Sequence, residues 1–437
     1  MQDRITKAII TASYDDDGDV ESIAIKQYEE EVKAGYYLPT HLFLRNTVEH
    51  RNTKFNFLIP LNKYGNSRAP MIIFSMLNTS RTALEKIGVV GDNLTGANVG
   101  YFRDYFQDKK VIFGPEGDDW RFSKTIENGR RTIDPEESEL VLILMGDTPL
   151  KYDFDRVLRD QDIGKFDLIA DVNTRRKVGR YWPRKHHVKL FYRGRYLPFK
   201  EPQLLLANVQ KINEVSENLG LEEPVWDMVY ESRKAHGSKG RSRKEKFFEV
   251  FFPDPITGVL TLKNSGFVYD FQILLHIFRK DGKPIPVNPE AVYRAVKGRT
   301  GIRFLLKADN DDPATIEDID GLADWANLSE MLSIGGDSIY PYYSEIRRFG
   351  EGIMPELRKK FDFYYGFEDH MNSLFRGYSL PEPFVANREF VNPFTSNKVD
   401  EITRRKANRI IKGSIRLHKN YLRKTKVRRL IRSQALS

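Results

Sequence analysis

The chain contains no cysteine, which excludes a disulfide, a thiolate metal site and a thiol nucleophile. Any bound metal must therefore be held by oxygen or by histidine. The eight histidines are scattered, apart from the adjacent pair His186 and His187. Neighbouring residues on a strand point to opposite faces, so this pair is better explained as structural or solvent-facing than as two ligands of one ion.

Long apolar runs are also missing. No run approaches the roughly 18 to 20 residues that a membrane-spanning helix needs, and the mean hydropathy is −0.52. The short apolar stretch near the amino terminus is quickly followed by acids, unlike a signal peptide. We therefore expect a cytoplasmic protein, whose 437 residues are enough for two or three domains.

The net charge of +9 is concentrated at the carboxyl end. Residues 402–437 contain 13 Lys plus Arg and no acid, which leaves 57 basic against 61 acidic residues in the rest of the chain. Ile411, Ile415 and Leu422 lie at helix-like spacing between the basic residues. This amphipathic tail predicts either packing on the more acidic body or peripheral binding to an anionic membrane surface. A nucleic-acid partner is less favoured because no recognition-module motif appears.

Strand-like and helix-like segments alternate over the first third of the chain. Buried strands are predicted at 5–12, 86–92, 109–115 and 140–147, and helices at 69–80, 98–106 and 119–133. Continuously apolar strands separated by helices are typical of a mostly parallel sheet that is covered on both faces. The predicted fold class is therefore α/β, with a mostly parallel central sheet and helices on both faces.

Two of the predicted strands end on a Gly-Asp pair. Gly91-Asp92 and Gly146-Asp147 stand at carboxyl ends of strands, where ligands bind in such sheets. In LVLILMGDTPL the carboxylate of Asp147 lies between glycine and Thr-Pro, on a turn that suits a Mg²⁺ ion shared with substrate phosphates. The alternative interpretation is that Asp147 caps the turn or helix that follows.

A second carboxylate cluster lies in TIEDIDGLADW, residues 315–325. Asp318 and Asp320 are two residues apart in an extended segment, so both project to one side and could share a cation. Asp324 begins the helix that follows. The alternative is a solvated acidic turn.

Five segments in order carry a family resemblance: KAIITA; APMIIFSML followed by KIGVVGD; FSKTIENGRRTI; LVLILMGDTPL; and DIDGLAD. Together they resemble the nucleotidyltransferase superfamily that includes molybdopterin guanylyltransferases and sugar-phosphate nucleotidyltransferases, which share a glycosyltransferase-A-like fold. The resemblance covers residues 5–335. The last segment is similar to the family pattern D-x-D-T-P-E-D-L and keeps all three aspartates.

The resemblance implies a reaction and a set of site residues. A phosphate oxygen of a phosphorylated small-molecule acceptor would attack the α-phosphorus of a nucleoside triphosphate and release pyrophosphate. Asp147, with Asp318 or Asp320, would hold Mg²⁺ (or Mn²⁺). Asn128 resembles a family asparagine near the nucleotide, although it could also end its helix. The implied nucleotide-binding residues are Ala12, Ser13, Asp92 and Asn128, and Lys54 and Lys63 are the candidates for the family's catalytic lysine.

One segment departs from the family pattern. The family has a glycine-rich loop ending in arginine that cradles the triphosphate, and this chain has TASYDDDGDVES at the same place. Three functions remain open: a metal-dependent nucleotidyltransferase with a modified phosphate loop, a glycosyltransferase-like enzyme that uses a nucleotide-sugar, and a non-catalytic nucleotide-binding protein.

The predicted organisation has three parts. Residues 1–335 form a nucleotidyltransferase-like domain, 336–400 a helical, aromatic-rich carboxyl-terminal region, and 401–437 the basic tail. The aromatic residues of the middle part are better explained by a small core or a layer packed over the main domain than by a surface that stacks on bases or sugars.

Overall fold

The computed structural model describes the parts of the chain that position the candidate site. The described residues are 5–12, 56, 58–61, 67–117, 121–137, 139–149, 154, 157, 163–174, 188–192, 195–200, 204–234, 297–298, 300–310, 328, 332, 336–338 and 340–360.

The described strands are β1 (Lys7–Ala12), β2 (Leu58–Pro60), β3 (Arg68–Pro70), β4 (Lys86–Gly91), β5 (Val111–Pro115), β6 (Val141–Met145), β7 (Leu168–Thr174), β8 (Val188–Tyr192), β9 (Arg195–Lys200), β10 (Leu204–Ala207) and β11 (Phe304–Asn310). The described helices are α1 (Met71–Ser80), α2 (Asn93–Phe106), α3 (Phe122–Ile133), α4 (Val209–Asn218), α5 (Val225–Lys234) and α6 (Tyr343–Lys360), with 3₁₀ turns at Ile163–Lys165 and Gly336–Ser338.

Nine of the described strands form the main sheet in the order β5-β4-β1-β6-β10-β7-β9-β8, with β11 paired to β7. Strands β5, β4, β1 and β6 are mutually parallel. Strand β10 is antiparallel to both β6 and β7, and β9 is antiparallel to both β7 and β8, while β11 is parallel to β7. All strands of the main sheet except β9 and β10 therefore point the same way, which confirms the predicted mostly parallel α/β sheet.

Alternating side chains of the sheet enter two separate hydrophobic clusters. On β1, Ile10 belongs to the cluster on one face and Ile9 to the cluster on the other. The first cluster includes residues of α1, α2 and α6, and the second includes residues of α3, α4 and α5. Helices thus cover both faces, as predicted, and the strands are apolar along their whole length because both of their faces are buried.

Helix α2 begins five residues before the predicted start at residue 98. Asp92 is its N-cap, and Asp92 Oδ1 accepts a hydrogen bond of 2.8 Å from the backbone nitrogen of Thr95. This cap satisfies an amide of the first turn and so extends the helix through Thr95 and Gly96, residues that favour helix poorly. The other helices and strands of the parallel block fall within the predicted segments.

The described part of the carboxyl-terminal region packs on the main sheet layer. Tyr340, Ile346 and Phe349 belong to the same buried cluster as α1. Tyr340 is fully buried, with its ring 5.2 Å from that of Phe74. The described aromatic residues therefore form a packing layer over the sheet, and the boundary predicted at 335/336 stays a prediction.

Residues 361–437, which include the basic tail, lie outside the described residues, so the membrane-surface interpretation stays a prediction. None of the helices within the described ranges has the length and apolarity needed to cross a bilayer.

Candidate active site

The order of the parallel strands reverses between β1 and β6. From β1 the chain proceeds to β4 and then β5 on one side, and then crosses to β6 on the other side of β1. At such a reversal the loops at the carboxyl ends of the strands diverge, and ligands bind between them. Ala12 ends β1, Asp92 follows β4 and Asp147 follows β6 by two residues. Three of the predicted site residues are thus brought to the carboxyl ends of three neighbouring strands.

The turn that carries Asp147 is held on several sides. The backbone nitrogen of Gly146 donates to the Thr11 carbonyl at 2.8 Å, which extends the pairing of β6 with β1. The hydroxyl of Thr148 donates to the Met145 carbonyl at 2.7 Å, and Pro149 restricts the next backbone angle. Asp147 itself is 6% exposed. The turn therefore has a fixed position at the strand-order reversal, and little of Asp147 is open to solvent.

Asp92 is occupied as a helix cap and is part of a buried polar chain. Burial raises the pKa of Asp92, and hydrogen bonds from Thr95 only partly oppose this effect. The Thr95 hydroxyl accepts from Asn56 Nδ2 at 3.1 Å, and the Asn56 carbonyl oxygen accepts from Asn98 Nδ2 at 2.6 Å. The carboxylate of Asp92 is accordingly engaged in hydrogen bonds at the start of α2.

Strand β1 separates Asp92 from Asp147. Two strand spacings put the backbones of β4 and β6 about 10 Å apart, and the Asp92 carboxylate is already engaged as the cap of α2. Within the described ranges, no three Asp, Glu or His side chains are grouped so that they could hold a metal ion.

Asn128 lies near the carboxyl end of β5. It is in the interior of α3, which continues to Ile133, so the alternative that Asn128 ends its helix is wrong. Its Nδ2 donates to the carbonyl of Pro115, the last residue of β5, at 3.1 Å. Asn128 therefore lies at the same edge of the sheet as Asp92 and Asp147, and its contact with a nucleotide stays a prediction.

Five predicted site residues lie outside the described residues, and their roles stay predictions: Ser13, Lys54, Lys63, Asp318 and Asp320.

The sequence interpretation missed the polar residues that support the site. Ser75 and Asn78 lie on α1, a helix whose ten residues are all buried. Ser75 Oγ donates to the carbonyls of Gly146 and Thr148, at 3.1 and 3.3 Å. A usable signal was present in MIIFSMLNTS, because a hydroxyl inside a fully buried apolar helix needs a hydrogen-bond partner.

The opposite edge of the sheet holds a polar cavity of about 470 Å³, lined in part by Phe166, Asn208 and Gln210. Asp167 lies in its wall and accepts hydrogen bonds from Arg303 Nη2 at 2.8 Å and Lys211 Nζ at 3.0 Å. Burial alone would raise the pKa of Asp167, but the hydrogen bonds from Arg303 and Lys211 outweigh it and lower the pKa to about 2. This cluster ties β7, β11 and α4 together, away from the candidate active site.

The Asp167 cluster predicts a loss of stability in acid. Because the pKa is lowered from 3.8 to about 2, the stabilisation is fully present above about pH 4 and is lost as the pH falls through about 2. Solvent reaches both cationic partners, so we expect on the order of 1 to 2 kcal/mol. Chemical denaturation at pH 7, 4 and 2.5 should show this loss in the native protein and a smaller one in Asp167→Asn. The exposed control Asp104→Asn should behave like the native protein, and an Asp167→Asn variant with the native pH dependence would contradict the assignment.

The described chain is a three-layer α/β protein with its candidate site at a strand-order reversal. No protein-family model and no curated protein matches the sequence. Among solved structures, a hypothetical transferase from Thermus thermophilus matches at 15% identity and a TM-score of 0.37, over 59% of this chain and 86% of that chain. The 4-diphosphocytidyl-2C-methyl-D-erythritol synthase from Anaerococcus prevotii matches at 13% identity and a TM-score of 0.30, over 56% and 82%.

A further match is the inositol-1-phosphate CTP transferase from T. maritima, at 12% identity and a TM-score of 0.32, over 54% of this chain and 84% of that chain. The α/β class of the present chain follows from its own strand order and strand directions.

Proposed function

We propose that the protein is a metal-dependent nucleotidyltransferase that joins a nucleoside monophosphate from a nucleoside triphosphate to a phosphorylated small-molecule acceptor, with release of pyrophosphate. The observation that carries the proposal is the buried carboxylate of Asp147 on a fixed turn at the strand-order reversal. Ala12, Asp92 and Asn128 at the same sheet edge provide the surface on which a nucleotide would lie.

A single fixed carboxylate suits Mg²⁺ or Mn²⁺, because such ions keep several positions of their coordination shell for water and for substrate phosphates. Asp147 would hold the ion together with Asp318 or Asp320. When bound, the metal would neutralise negative charge on the phosphates of the nucleotide.

The chain's own residues would then orient the reactants. Ala12, which ends β1, and Ser13, which follows it in the sequence, would bind the triphosphate beside Asp147, while Asp92 and Asn128 would contact the nucleoside. Positioning supplies much of the catalysis in phosphoryl-type transfers, since the attacking and leaving oxygens must be in line.

The acidic segment that replaces the glycine-rich loop affects this scheme. Asp15, Asp16, Asp17 and Asp19 would repel the triphosphate. Positive charge must therefore be supplied by the metal and by a lysine, for which Lys54 and Lys63 are the candidates. Nucleotide binding should consequently depend strongly on divalent metal.

The test is a thermal-shift panel of the four nucleoside triphosphates and several nucleotide-sugars, each with and without Mg²⁺ or Mn²⁺. We expect a rise in melting temperature of several degrees with at least one triphosphate, only when metal is present. A pyrophosphate-release assay with sugar phosphates and other phosphorylated acceptors then tests the reaction.

The same panel distinguishes the alternatives. Metal-dependent stabilisation by a nucleotide-sugar alone would indicate the glycosyltransferase-like enzyme. Stabilisation by nucleotides that is independent of metal would favour a non-catalytic binding protein. No shift with any ligand would contradict the proposed function.

A further inference from the structure

Ser75 contacts the backbone on both sides of the candidate metal ligand. It lies in the middle of α1 and is 3% exposed. Its hydroxyl reaches the Gly146 carbonyl at 3.1 Å and the Thr148 carbonyl at 3.3 Å. A hydroxyl has one proton, so the two carbonyls share one donor. Ser75 therefore bridges the residues that precede and follow Asp147.

This bridge restricts the direction of the Asp147 side chain. Peptide groups are planar, so a hydrogen bond to a carbonyl orients the whole peptide unit to which it belongs. The Gly146 carbonyl shares a plane with the nitrogen and Cα of Asp147, and the Thr148 carbonyl lies in the plane that leads into Pro149. Fixing both units leaves the Cα–Cβ bond of Asp147 little freedom.

Helix α1 is itself held by a buried tyrosine. The hydroxyl of Tyr340 donates to the carbonyl of Phe74 at 3.0 Å, and the Tyr340 side chain is fully buried. Phe74 immediately precedes Ser75. The donor that orients the Asp147 turn is therefore attached to a helix that cannot shift without disturbing a buried aromatic contact.

We propose that Ser75 is a positioning residue, which directs the Asp147 carboxylate toward the metal by holding the turn from both sides. This inference rests on the proposed function, because it takes Asp147 as the metal ligand. Residues that orient a ligand typically contribute about tenfold or more to metal affinity.

The test compares Ser75→Ala with Ser80→Ala in the full-length protein. Ser80 is a matched control: it lies on the same helix, is 5% exposed, and its hydroxyl donates to Leu77 within the helix. Mn²⁺ binding is measured by electron paramagnetic resonance, and amide hydrogen exchange is measured across residues 145–148. We expect Ser75→Ala to weaken Mn²⁺ binding about tenfold and to speed exchange in the turn, with Ser80→Ala within about twofold of the native protein.

The outcomes separate this inference from the proposed function. If native protein binds Mn²⁺ and Asp147→Asn does not, the proposed ligand stands. Equal effects of Ser75→Ala and Ser80→Ala would then overturn the positioning role alone. If Asp147→Asn binds Mn²⁺ as well as native protein does, the metal assignment fails and the role of Ser75 fails with it.

Discussion

Replacing Asp147 with asparagine is expected to remove the metal-dependent stabilisation by nucleotide and to lower nucleotidyl transfer by at least about 100-fold. The expected size of this loss follows from the behaviour of metal sites in general. Loss of a residue that only orients a metal ligand already lowers metal affinity or activity by about 10- to 100-fold. Asparagine keeps the shape of the side chain but removes the charge that binds a hard cation. The measurements are the thermal shift with triphosphate and Mg²⁺, and the rate of pyrophosphate release.

The control for this substitution is Asp134→Asn at the opposite edge of the sheet. Asp134 is exposed and has a φ of 50°, a conformation that asparagine also tolerates. It loses the same charge, so any general electrostatic effect on the protein should be similar. We expect native metal dependence in Asp134→Asn. A full metal-dependent shift in Asp147→Asn would exclude Asp147 as a ligand.

The strands of the sheet could be predicted where an apolar run in the sequence coincides with burial on both faces of the strand. Strands β1, β4 and β6 are short apolar runs, and they are buried on both faces, so the pattern identified them directly. The start of α2 was not predictable from apolar spacing. Gly96 belongs to this helix, and the ring of Phe113 lies 2.8 Å from where a Cβ would stand on it. The need for glycine at position 96 therefore comes from packing against β5, a strand that is distant from the helix start in sequence.

The antiparallel half of the sheet depended on contacts between distant segments. Strand β10 separates β6 from β7 in the sheet, although it follows both in sequence. Arg303 reaches Asp167 across 136 positions of the chain. The residue pattern within a strand carries no information on which strands become its neighbours.

The sequence predicted which strand ends carry the residues of the candidate site. It did not predict how these residues are arranged in space. A carboxylate immediately after a buried strand drew attention to Asp147, and the parallel order then brought Ala12 next to the turn. Strand β1 separates Asp92 from Asp147. This separation follows from the strand order, which cannot be read from the spacing of residues in the sequence. Ser75 required the tertiary contact between α1 and the turn, so its role could be inferred only from the fold.

Replacing Gly350 with alanine is expected to destabilise the protein by about 3 kcal/mol, because overpacking against rigid atoms is costly. Gly350 lies on α6 where this helix crosses β3, and a Cβ there would stand 2.0 Å from the Arg68 carbonyl oxygen. The oxygen belongs to the backbone and a Cβ has no rotamer of its own, so a side-chain rotation cannot relieve the contact. Helix and strand would have to separate by about 1 Å. Urea denaturation of native and variant protein measures the change in free energy of unfolding.

Gly352→Ala is the matched control on the same helix. A Cβ at Gly352 would come no closer than 3.7 Å to another residue, an ordinary contact with the Tyr105 ring. Alanine favours helix over glycine by about 1 kcal/mol, so this variant should be as stable as the native protein or more stable. Alanine at position 350 would also gain the stability that comes from its higher helix propensity. This gain is smaller than the destabilisation expected from the close contact with Arg68. If both variants were equally stable, α6 would not pack on β3 at this distance.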